Sequence, residues 1–443
     1  MRTPETRPRT VPRFSGALVA ALLFGLGAGR AQAALQIEVT SGVRDPIPIA
    51  IVPFAAPAGD AELDVADVIQ HDLEGSGRFK ALARERMPAR PTRAAEVTPG
   101  PWKDAGSDYV VVGRVLALEG GNVGVEFDLL NTLTGARVAA QRFSGAPGAV
   151  RNAAHRVSDV VYQKILGIRG AFATRIAYVA VDGAPPAQVY RLFVADADGV
   201  NQQRILETRF PLMSPSWSPD GQWLAYVSFE TKHSAVYVQL VRTGERRQVS
   251  ARAGVNGAPE WSPDGKKLAL TLGSSSGNPD IYVLDLASQG LSRLTEDPAI
   301  DTEPVWAPDG RSIFFTSDRA GSPQIYQIGA QPGARPKRIT FGGTYNARPR
   351  ISPDGTLLAM VTLDGGNYRI AVQELATSVV RVLSHGHLDE SPSFAPNGAT
   401  LIYAERDAPR GELATVSTDG LTGLRLRAAE GEIREPAWGP FLP

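Results

Sequence analysis

The first residues to consider for chemistry lie in the segment GSSSG, at Gly273 to Gly277. It fits the Gly-x-Ser-x-Gly pattern of serine hydrolases and would make Ser275 the nucleophile. That pattern requires a strand, a sharp turn and a helix, with Asp and His partners farther along the chain. Here the flanking residues predict two strands and no helix. We therefore interpret the segment as a turn, with a serine nucleophile as the alternative.

Histidine and cysteine offer little for metal or redox chemistry. His385 and His387 form a possible metal-binding pair, but no third ligand lies near them in sequence, and polar loop positions are the simpler interpretation. The chain has no Cys, which excludes thiol catalysis, disulfides and Cys-ligated zinc. We predict no catalytic residue, no metal and no cofactor.

A third group of polar residues recurs at equivalent positions of an internal repeat, within MSPSW, NGAPEW, DTEPVW, NARPRI, DESPSF and REPAW. If these segments are loops at one end of a repeat architecture, their polar side chains meet at a common concave surface, which favours recognition of a partner. The alternative is that the acidic residues only cap turns. The predicted recognition residues are Asn256, Gly257, Ala258, Asp301, Thr302, Glu303, Asn346, Arg348, Asp389 and Glu390, with Glu435 beside them.

The repeat itself predicts the fold. A large apolar residue followed by a Ser-Pro-Asp-Gly-like tetrad stands at Trp217, Trp261, Trp306, Ile351 and Phe394, at intervals of 44, 45, 45 and 43 residues. Pro-Asp-Gly favours a tight turn, and the alternating apolar residues on either side favour strands. Four antiparallel strands per repeat describe a β-propeller blade, with an open solenoid as the alternative.

The two ends of the repeat region complement each other. RIAYVAV, from Arg175, resembles the second strand of a blade but has no Trp-type strand before it, whereas EPAWGPFLP places Trp438 at the end of the chain. A ring can complete one blade from both termini, whereas a solenoid needs capping units. We predict a six-bladed β-propeller, all-β, over residues 169–443 and closed by the C-terminal strand.

Residues 34–168 have a different pattern, which predicts an α/β domain. Strands are expected from Leu35, Ile47, Asp108 and Val123, and amphipathic helices over Ala61 to Leu73 and from Val150. The Pro-rich stretch from Arg84 to Lys103 predicts an exposed loop.

The first 33 residues have the features of a cleaved signal peptide. Four Arg precede an apolar run from Phe14 to Gly29, and Ala31-Gln32-Ala33 matches a cleavage site. An uncleaved membrane anchor is the alternative, but the run is short for a span. The 46 basic and 46 acidic residues balance, so nothing in the overall charge favours nucleic acid or an anionic membrane. We expect a monomer that does not span a membrane.

This order of motifs resembles the TolB family of the Tol-Pal system. The similarity runs through SGVRDPIPIAIVPF, GAFATRIAYV, PLMSPSWSPDG, NGAPEWSPDG, TEPVWAPDG, SDRAGSPQIY and LDESPSFAPNG, and covers nearly the whole chain after residue 33. The resemblance implies a periplasmic, non-enzymatic protein that acts between inner-membrane Tol proteins and the peptidoglycan-associated lipoprotein Pal. Its implied roles are outer-membrane integrity and invagination at cell division.

The resemblance also implies where the partners bind. Pal would contact the propeller mouth at Asn256, Gly257, Ala258, Thr302 and Glu303, although Val255 stands where a family member has His. TolA would contact the N-terminal segment, which includes Leu35, Gln36, Ile37, Glu38, Val39 and Thr40. A propeller that supports a peptidase-like hydrolase is the alternative function.

Overall fold

The computed structural model describes residues 45–57, 64–273, 277–406, 411–426 and 431–442. The predicted signal peptide, the segment from Leu35 to Thr40 that is predicted to bind TolA, and the candidate nucleophile Ser275 all lie outside the described residues. No helix within the described part of the chain is long and apolar enough to cross a membrane.

The N-terminal domain is α/β, as the sequence predicts, and consists of a five-stranded sheet with helices on it. The strands have the order β2-β1-β3-β4-β5, in which β1 is parallel to both of its neighbours and the remaining pairs are antiparallel. The elements are β1 (Ile47–Ile51), α1 (Val65–Gly75), β2 (Phe79–Ala81), α2 (Pro99–Asp104), β3 (Tyr109–Ala117), β4 (Val123–Asn131), β5 (Arg137–Gly145) and α3 (Val150–Leu166).

Local signals fix the ends of the two long helices. The Asp64 carboxylate caps α1 by accepting hydrogen bonds from the backbone N–H groups of Ala66 and Asp67. Gly167 ends α3 with φ +78°, a left-handed conformation that suits glycine. The apolar faces of both helices pack on the sheet around the fully buried Ile69 and Val157.

The Pro-rich stretch differs from the prediction of an exposed loop. It contains α2 and two 3₁₀ turns, Arg84–Arg86 and Ala94–Glu96. Trp102 is 1% exposed and packs against the face of the sheet that α1 and α3 leave uncovered. Burial of a large indole stabilises the domain enough to order the segment around it.

The remaining strands form six four-stranded antiparallel sheets, which confirms the six-bladed propeller. The first blade contains β6 (Arg175–Asp182), β7 (Val189–Asp196), β8 (Gln203–Thr208) and, as its inner strand, the last strand of the chain. The second contains β9 (Leu212–Trp217), β10 (Trp223–Ser228), β11 (Ala235–Leu240) and β12 (Arg246–Ser250). The third contains β13 (Asn256–Trp261), β14 (Lys267–Leu272), β15 (Asp280–Asp285) and β16 (Leu291–Arg293).

The other three blades follow the same order. The fourth contains β17 (Asp301–Trp306), β18 (Ser312–Ser317), β19 (Gln324–Gly329) and β20 (Lys337–Arg338). The fifth contains β21 (Asn346–Ile351), β22 (Leu357–Asp364), β23 (Asn367–Glu374) and β24 (Val380–Val382). The sixth contains β25 (Asp389–Phe394), β26 (Thr400–Glu405), β27 (Glu412–Ser417) and β28 (Gly423–Leu426), and β29 (Glu432–Trp438) returns to pair with β6.

The Ser-Pro-Asp-Gly turns form as predicted. Asp220 accepts a hydrogen bond from the backbone N–H of Gln222 at 3.0 Å, and Gly221 has φ +66°. The Ser218 hydroxyl accepts from the Trp223 N–H at 2.9 Å and so ties the two ends of the turn together. These bonds fix the register in which β9 pairs with β10.

The two faces of the propeller have different surroundings. We call the face that carries the Ser-Pro-Asp-Gly turns the turn face, and the opposite face, where each inner strand begins, the mouth face. The N-terminal domain contacts turns of the turn face: Arg78 pairs with Asp419, and Asn397 donates to the Arg169 carbonyl at 3.0 Å. The mouth face is therefore on the side away from the N-terminal domain.

Candidate partner-binding site

The inner strand of every blade carries the same backbone feature near its start. One non-glycine residue adopts a φ between +43° and +57°, and the strand pairing shifts register around it. Side chains rarely adopt this left-handed conformation, and each of these residues also precedes a proline. The six residues, which we call the bulge residues, are Ser214, Ala258, Glu303, Arg348, Ser391 and Glu435.

The bulge residues meet in one place. All six line a single cavity of about 480 Å³ where the inner strands begin, so they define the mouth of the propeller channel. The segments that the sequence predicted to be loops are thus bulged inner strands. The bulge matters for function because it turns one side chain of each blade toward the channel while the neighbouring residues remain in the sheet.

Arg348 connects most of the charged groups in the mouth. Its Nε lies 3.2 Å from Glu303 Oε1, its Nη2 lies 3.7 Å from Glu435 Oε1, and its Nη1 donates to the Ser391 hydroxyl. Burial opposes its charge, but Glu435, Glu303 and Glu390 outweigh burial and raise the pKa of Arg348 above its usual value. The guanidinium thus stays charged and joins four blades, its own and the three that carry Glu303, Glu435 and Ser391.

Glu303 is held rigidly from three sides. Its Oε2 accepts from the Thr316 hydroxyl at 2.9 Å and from the Arg348 backbone N–H at 2.9 Å, while its own N–H donates to Thr271 Oγ1 at 3.2 Å. Thr302 lies next to it, with its hydroxyl 3.4 Å from that of Thr271. The mouth therefore presents a preorganised polar surface, which lowers the entropy cost of binding a partner.

Four of the predicted recognition residues do not present their side chains at the mouth. Asn256, Asp301 and Asp389 are 0% exposed and Asn346 is 1% exposed. The prediction that these side chains are available to a partner is wrong, because each of them closes the connection that enters its own blade.

The hydrogen bonds of these residues show that role. Asn256 Oδ1 accepts from Ser250 Oγ at 2.7 Å, and Asn346 Nδ2 donates to the Gly342 carbonyl at 2.7 Å. Asp301 accepts two hydrogen bonds from Arg319, at 2.7 and 2.9 Å, and Asp389 accepts from the Gly386 N–H at 3.1 Å. Each of these four residues lies two positions before a bulge residue. At the same position, the second blade has the buried Leu212 and the first blade has the buried Ile433. The recurrence of Asn or Asp at one repeat position was the signal for a structural role.

The other predicted residues are at least partly accessible. Gly257, Ala258, Thr302, Glu303, Arg348, Glu390 and Glu435 are half-buried, and all except Glu390 line the cavity. The sequence analysis overlooked Ser214, Ser391 and Met213, which line the same cavity. Met213 and Val255 are 39% and 46% exposed, so the mouth combines a charged centre with apolar positions at its edge.

The candidate metal pair lies on the same face but does not resemble a metal site. His385 is exposed, and His387 Nδ1 lies 3.1 Å from the Asn367 side-chain oxygen. The one cluster of three or more possible metal ligands in the described ranges lies elsewhere and does not include them.

Comparison with known proteins follows the same division of the chain. Residues 35–138 match the model of the TolB amino-terminal domain, and residues 162–442 match that of the TolB beta propeller domain. The chain is 46% identical over 429 residues to the Tol-Pal system protein TolB of Xanthomonas oryzae pv. oryzae strain PXO99A, which covers 96% of this chain and 97% of that protein. It is 45% identical, with the same coverage, to the protein of that name from Xanthomonas campestris pv. campestris strain B100.

A solved structure agrees with both domains. The crystal structure of TolB from Acinetobacter baumannii matches 92% of this chain and all of that chain, with a TM-score of 0.84 and 40% identity. The family models, the relatives and the solved structure together show that this chain belongs to the TolB family and is a component of the Tol-Pal system.

Proposed function

We propose that this chain is an exported, non-catalytic binding protein of the periplasm that holds the lipoprotein Pal at the propeller mouth. The observation that supports this proposal is the cavity of about 480 Å³ lined by all six bulge residues. It lies away from the N-terminal domain, which leaves that face of the propeller open to a partner. Its charged centre and partly apolar edge offer electrostatic and apolar contacts to a complementary protein surface.

The residues proposed to contact Pal differ in what they contribute. Gly257, Ala258, Thr302 and Glu303 offer accessible groups at the centre, with Arg348 and Glu390 beside them. Asn256, Asp301, Asn346 and Asp389 support the strands from which those groups project. A loss of binding after substitution of the second set would report lost structure rather than a lost contact.

We further propose that residues 34–45 bind TolA. The segment from Leu35 to Thr40 alternates apolar and polar residues and suits addition to the edge of a sheet in a partner. With Pal at one site and TolA at the other, the chain would link the inner-membrane Tol proteins to the outer-membrane lipoprotein. This link would serve outer-membrane integrity and invagination at division.

A pair of matched substitutions tests the Pal site. Val255→Glu places a charge at the mouth, whereas Val379→Glu makes the same change beside the outermost strand of the fifth blade, where the side chain is 53% exposed. We expect Val255→Glu to weaken the binding of purified Pal at least tenfold in calorimetry and Val379→Glu to leave it unchanged. Equal effects of the two substitutions would contradict the proposal.

The TolA site is tested separately by removing the segment. Mature protein that starts at Gly42 should lose affinity for TolA and keep its affinity for Pal. If the shortened chain binds TolA as tightly as the intact mature chain, the segment is not the binding site.

A further inference from the structure

A buried group of charged side chains lies where the N-terminal domain meets the turn face of the propeller. His155 of α3 is 1% exposed, and its Nδ1 lies 2.8 Å from Asp72 Oδ2 on α1. Its Nε2 faces the turn between β7 and β8, at 3.9 Å from Asp198 Oδ2 and 4.0 Å from Asp196 Oδ2. The mouth lies on the other face of the propeller and does not use these residues.

The hydrogen bond to Asp72 sets the chemistry of the imidazole. An ionised carboxylate only accepts hydrogen bonds, so Nδ1 carries the proton, and in the neutral ring Nε2 keeps its lone pair. That Nε2 is buried and has no hydrogen-bond partner. A carboxylate that orients a histidine through one nitrogen, and leaves the other free to bind, is the usual support of a metal ligand.

The charges of the group do not balance by themselves. Asp72, Asp196 and Asp198 contribute three negative charges, against one positive charge from Arg151, which pairs with Asp198 and lies 3.4 Å from Asp196. The side chains of Asp72 and Asp198 are only 2% and 7% exposed. Because uncompensated buried charge is costly, the group with a neutral His155 favours a further cation, either a proton on the imidazole or a metal ion.

The distances favour a metal ion over a proton as that cation. A gap of 3.9 Å is too long for an N–H to bridge, since such hydrogen bonds end at about 3.2 Å. Two ligands of one tetrahedral zinc ion, each about 2.0 to 2.1 Å from it, lie about 3.3 Å apart. A shift of about 0.6 to 0.7 Å would therefore bring Nε2 to ligand spacing from each of the two carboxylates.

We propose that His155 Nε2 and the carboxylates of Asp198 and Asp196 bind a zinc ion that ties the N-terminal domain to the propeller. One nitrogen with carboxylate oxygens suits Zn²⁺, whereas Ca²⁺ and Mg²⁺ favour oxygen ligands. Asp198 Oδ2 keeps a second lone pair beside the one that accepts from Arg151. Asp196 Oδ2 already accepts from Asn201 Nδ2 at 2.7 Å, so there the ion would take the place of the longer contact to Arg151 Nε at 3.4 Å. A cavity of about 90 Å³ between the domains is lined by Asp72 and Asp198 and so borders the group.

The test uses the full mature chain, stripped with a chelator, and zinc or cobalt as the probe at pH 7.5. We expect one equivalent of Zn²⁺ in calorimetry, a melting temperature that rises with zinc concentration, and visible bands of four-coordinate Co²⁺. His155→Gln should abolish all three, Asp198→Asn should weaken binding at least tenfold, and Asp72→Asn should weaken it about 10- to 100-fold through lost orientation. His385→Gln removes an exposed histidine and should change nothing.

Several outcomes would overturn the proposal. The wild-type titration decides by itself, even if a variant does not fold: absence of one-equivalent binding excludes the site. Binding that survives in folded His155→Gln protein would place the ion elsewhere. If zinc does not bind, but the stability difference between wild type and His155→Gln depends on pH near neutrality, the missing cation is a proton and the metal proposal is wrong.

Discussion

Trp438, in the last strand, donates its indole N–H to the hydroxyl of Thr174, just before the first strand of the propeller, at a distance of 2.8 Å. The two residues are 264 positions apart in the chain. Beside this bond, β29 pairs antiparallel with β6, and Trp438 lies opposite Ile176. The first blade is thus completed by both ends of the propeller sequence, and closure removes the open edge that an incomplete blade would expose.

Truncation of the chain after Arg434 should destabilise the whole propeller. It removes most of β29 and leaves Ile176 and Ala177 of β6 without their partners on the inner strand, and loss of a packed Trp alone costs roughly 3 kcal/mol or more. We expect the melting temperature to fall by ten degrees or more. Thr174→Val removes this hydrogen bond and the one that the Thr174 hydroxyl donates to the Ala171 carbonyl, and should cost about 1 to 3 kcal/mol. A truncated chain that melts within a few degrees of the intact one would show that the terminal strand does not close the propeller.

Replacement of Arg319 by Ala should destabilise the fourth blade. Asp301 is 0% exposed, and its carboxylate accepts two hydrogen bonds from the Arg319 guanidinium. The substitution therefore leaves a buried carboxylate without its cation. The expected cost is about 3 to 5 kcal/mol in urea unfolding. Arg311→Ala, at an exposed position of the same blade, should change stability by less than about 0.5 kcal/mol. If both substitutions change the free energy of unfolding by similarly small amounts, the structural role of Asp301 is wrong, and Asp301 is again a candidate contact residue for the partner.

Replacement of Arg348 by Gln should affect both stability and Pal binding. The change leaves Glu303 and Glu435 facing each other across the channel without the guanidinium that now lies between them. We expect a loss of about 2 kcal/mol in unfolding free energy and at least tenfold weaker binding. The control is Arg242→Gln, which removes one positive charge at an exposed position. Unchanged Pal affinity in folded Arg348→Gln protein would remove Arg348 from the proposed site.

The sequence predicted most of the fold because the repeat carries its own geometry. Pro-Asp-Gly requires a turn, and the position of Trp438 relative to Arg175 requires closure, so both could be predicted without coordinates. The site was harder because polarity at a repeat position does not say whether the side chain turns into the strand or toward the channel. Asn256 and Ala258 are two residues apart and both border the cavity, yet Asn256 is 0% exposed whereas Ala258 is partly accessible. The group around His155 had no sequence signal, since folding brings its members together from distant positions.

The segment that joins α3 to β6 depends on one carboxyl group. Asp159 accepts hydrogen bonds from the backbone N–H groups of Phe172 at 2.8 Å and Ala173 at 3.4 Å. Burial, with a contribution from the charge of Asp72, raises the pKa of Asp159 to about 6, which the hydrogen bonds only partly offset. The ordinary value of 3.8 applies when the chain is unfolded.

This shift predicts how stability changes with pH. Because the pKa is higher in the folded state, the contribution of Asp159 is fully present below pH 3.8 and is lost as pH rises through about 6. Between pH 7.5 and pH 5 the wild type should gain roughly 1 kcal/mol relative to Asp159→Asn, which does not titrate, after allowance for partial solvent screening. The measurement is urea unfolding of both proteins at the two pH values, with Asp104→Asn as an exposed control. A constant difference between wild type and Asp159→Asn at the two pH values would show that Asp159 titrates as it does in the unfolded chain.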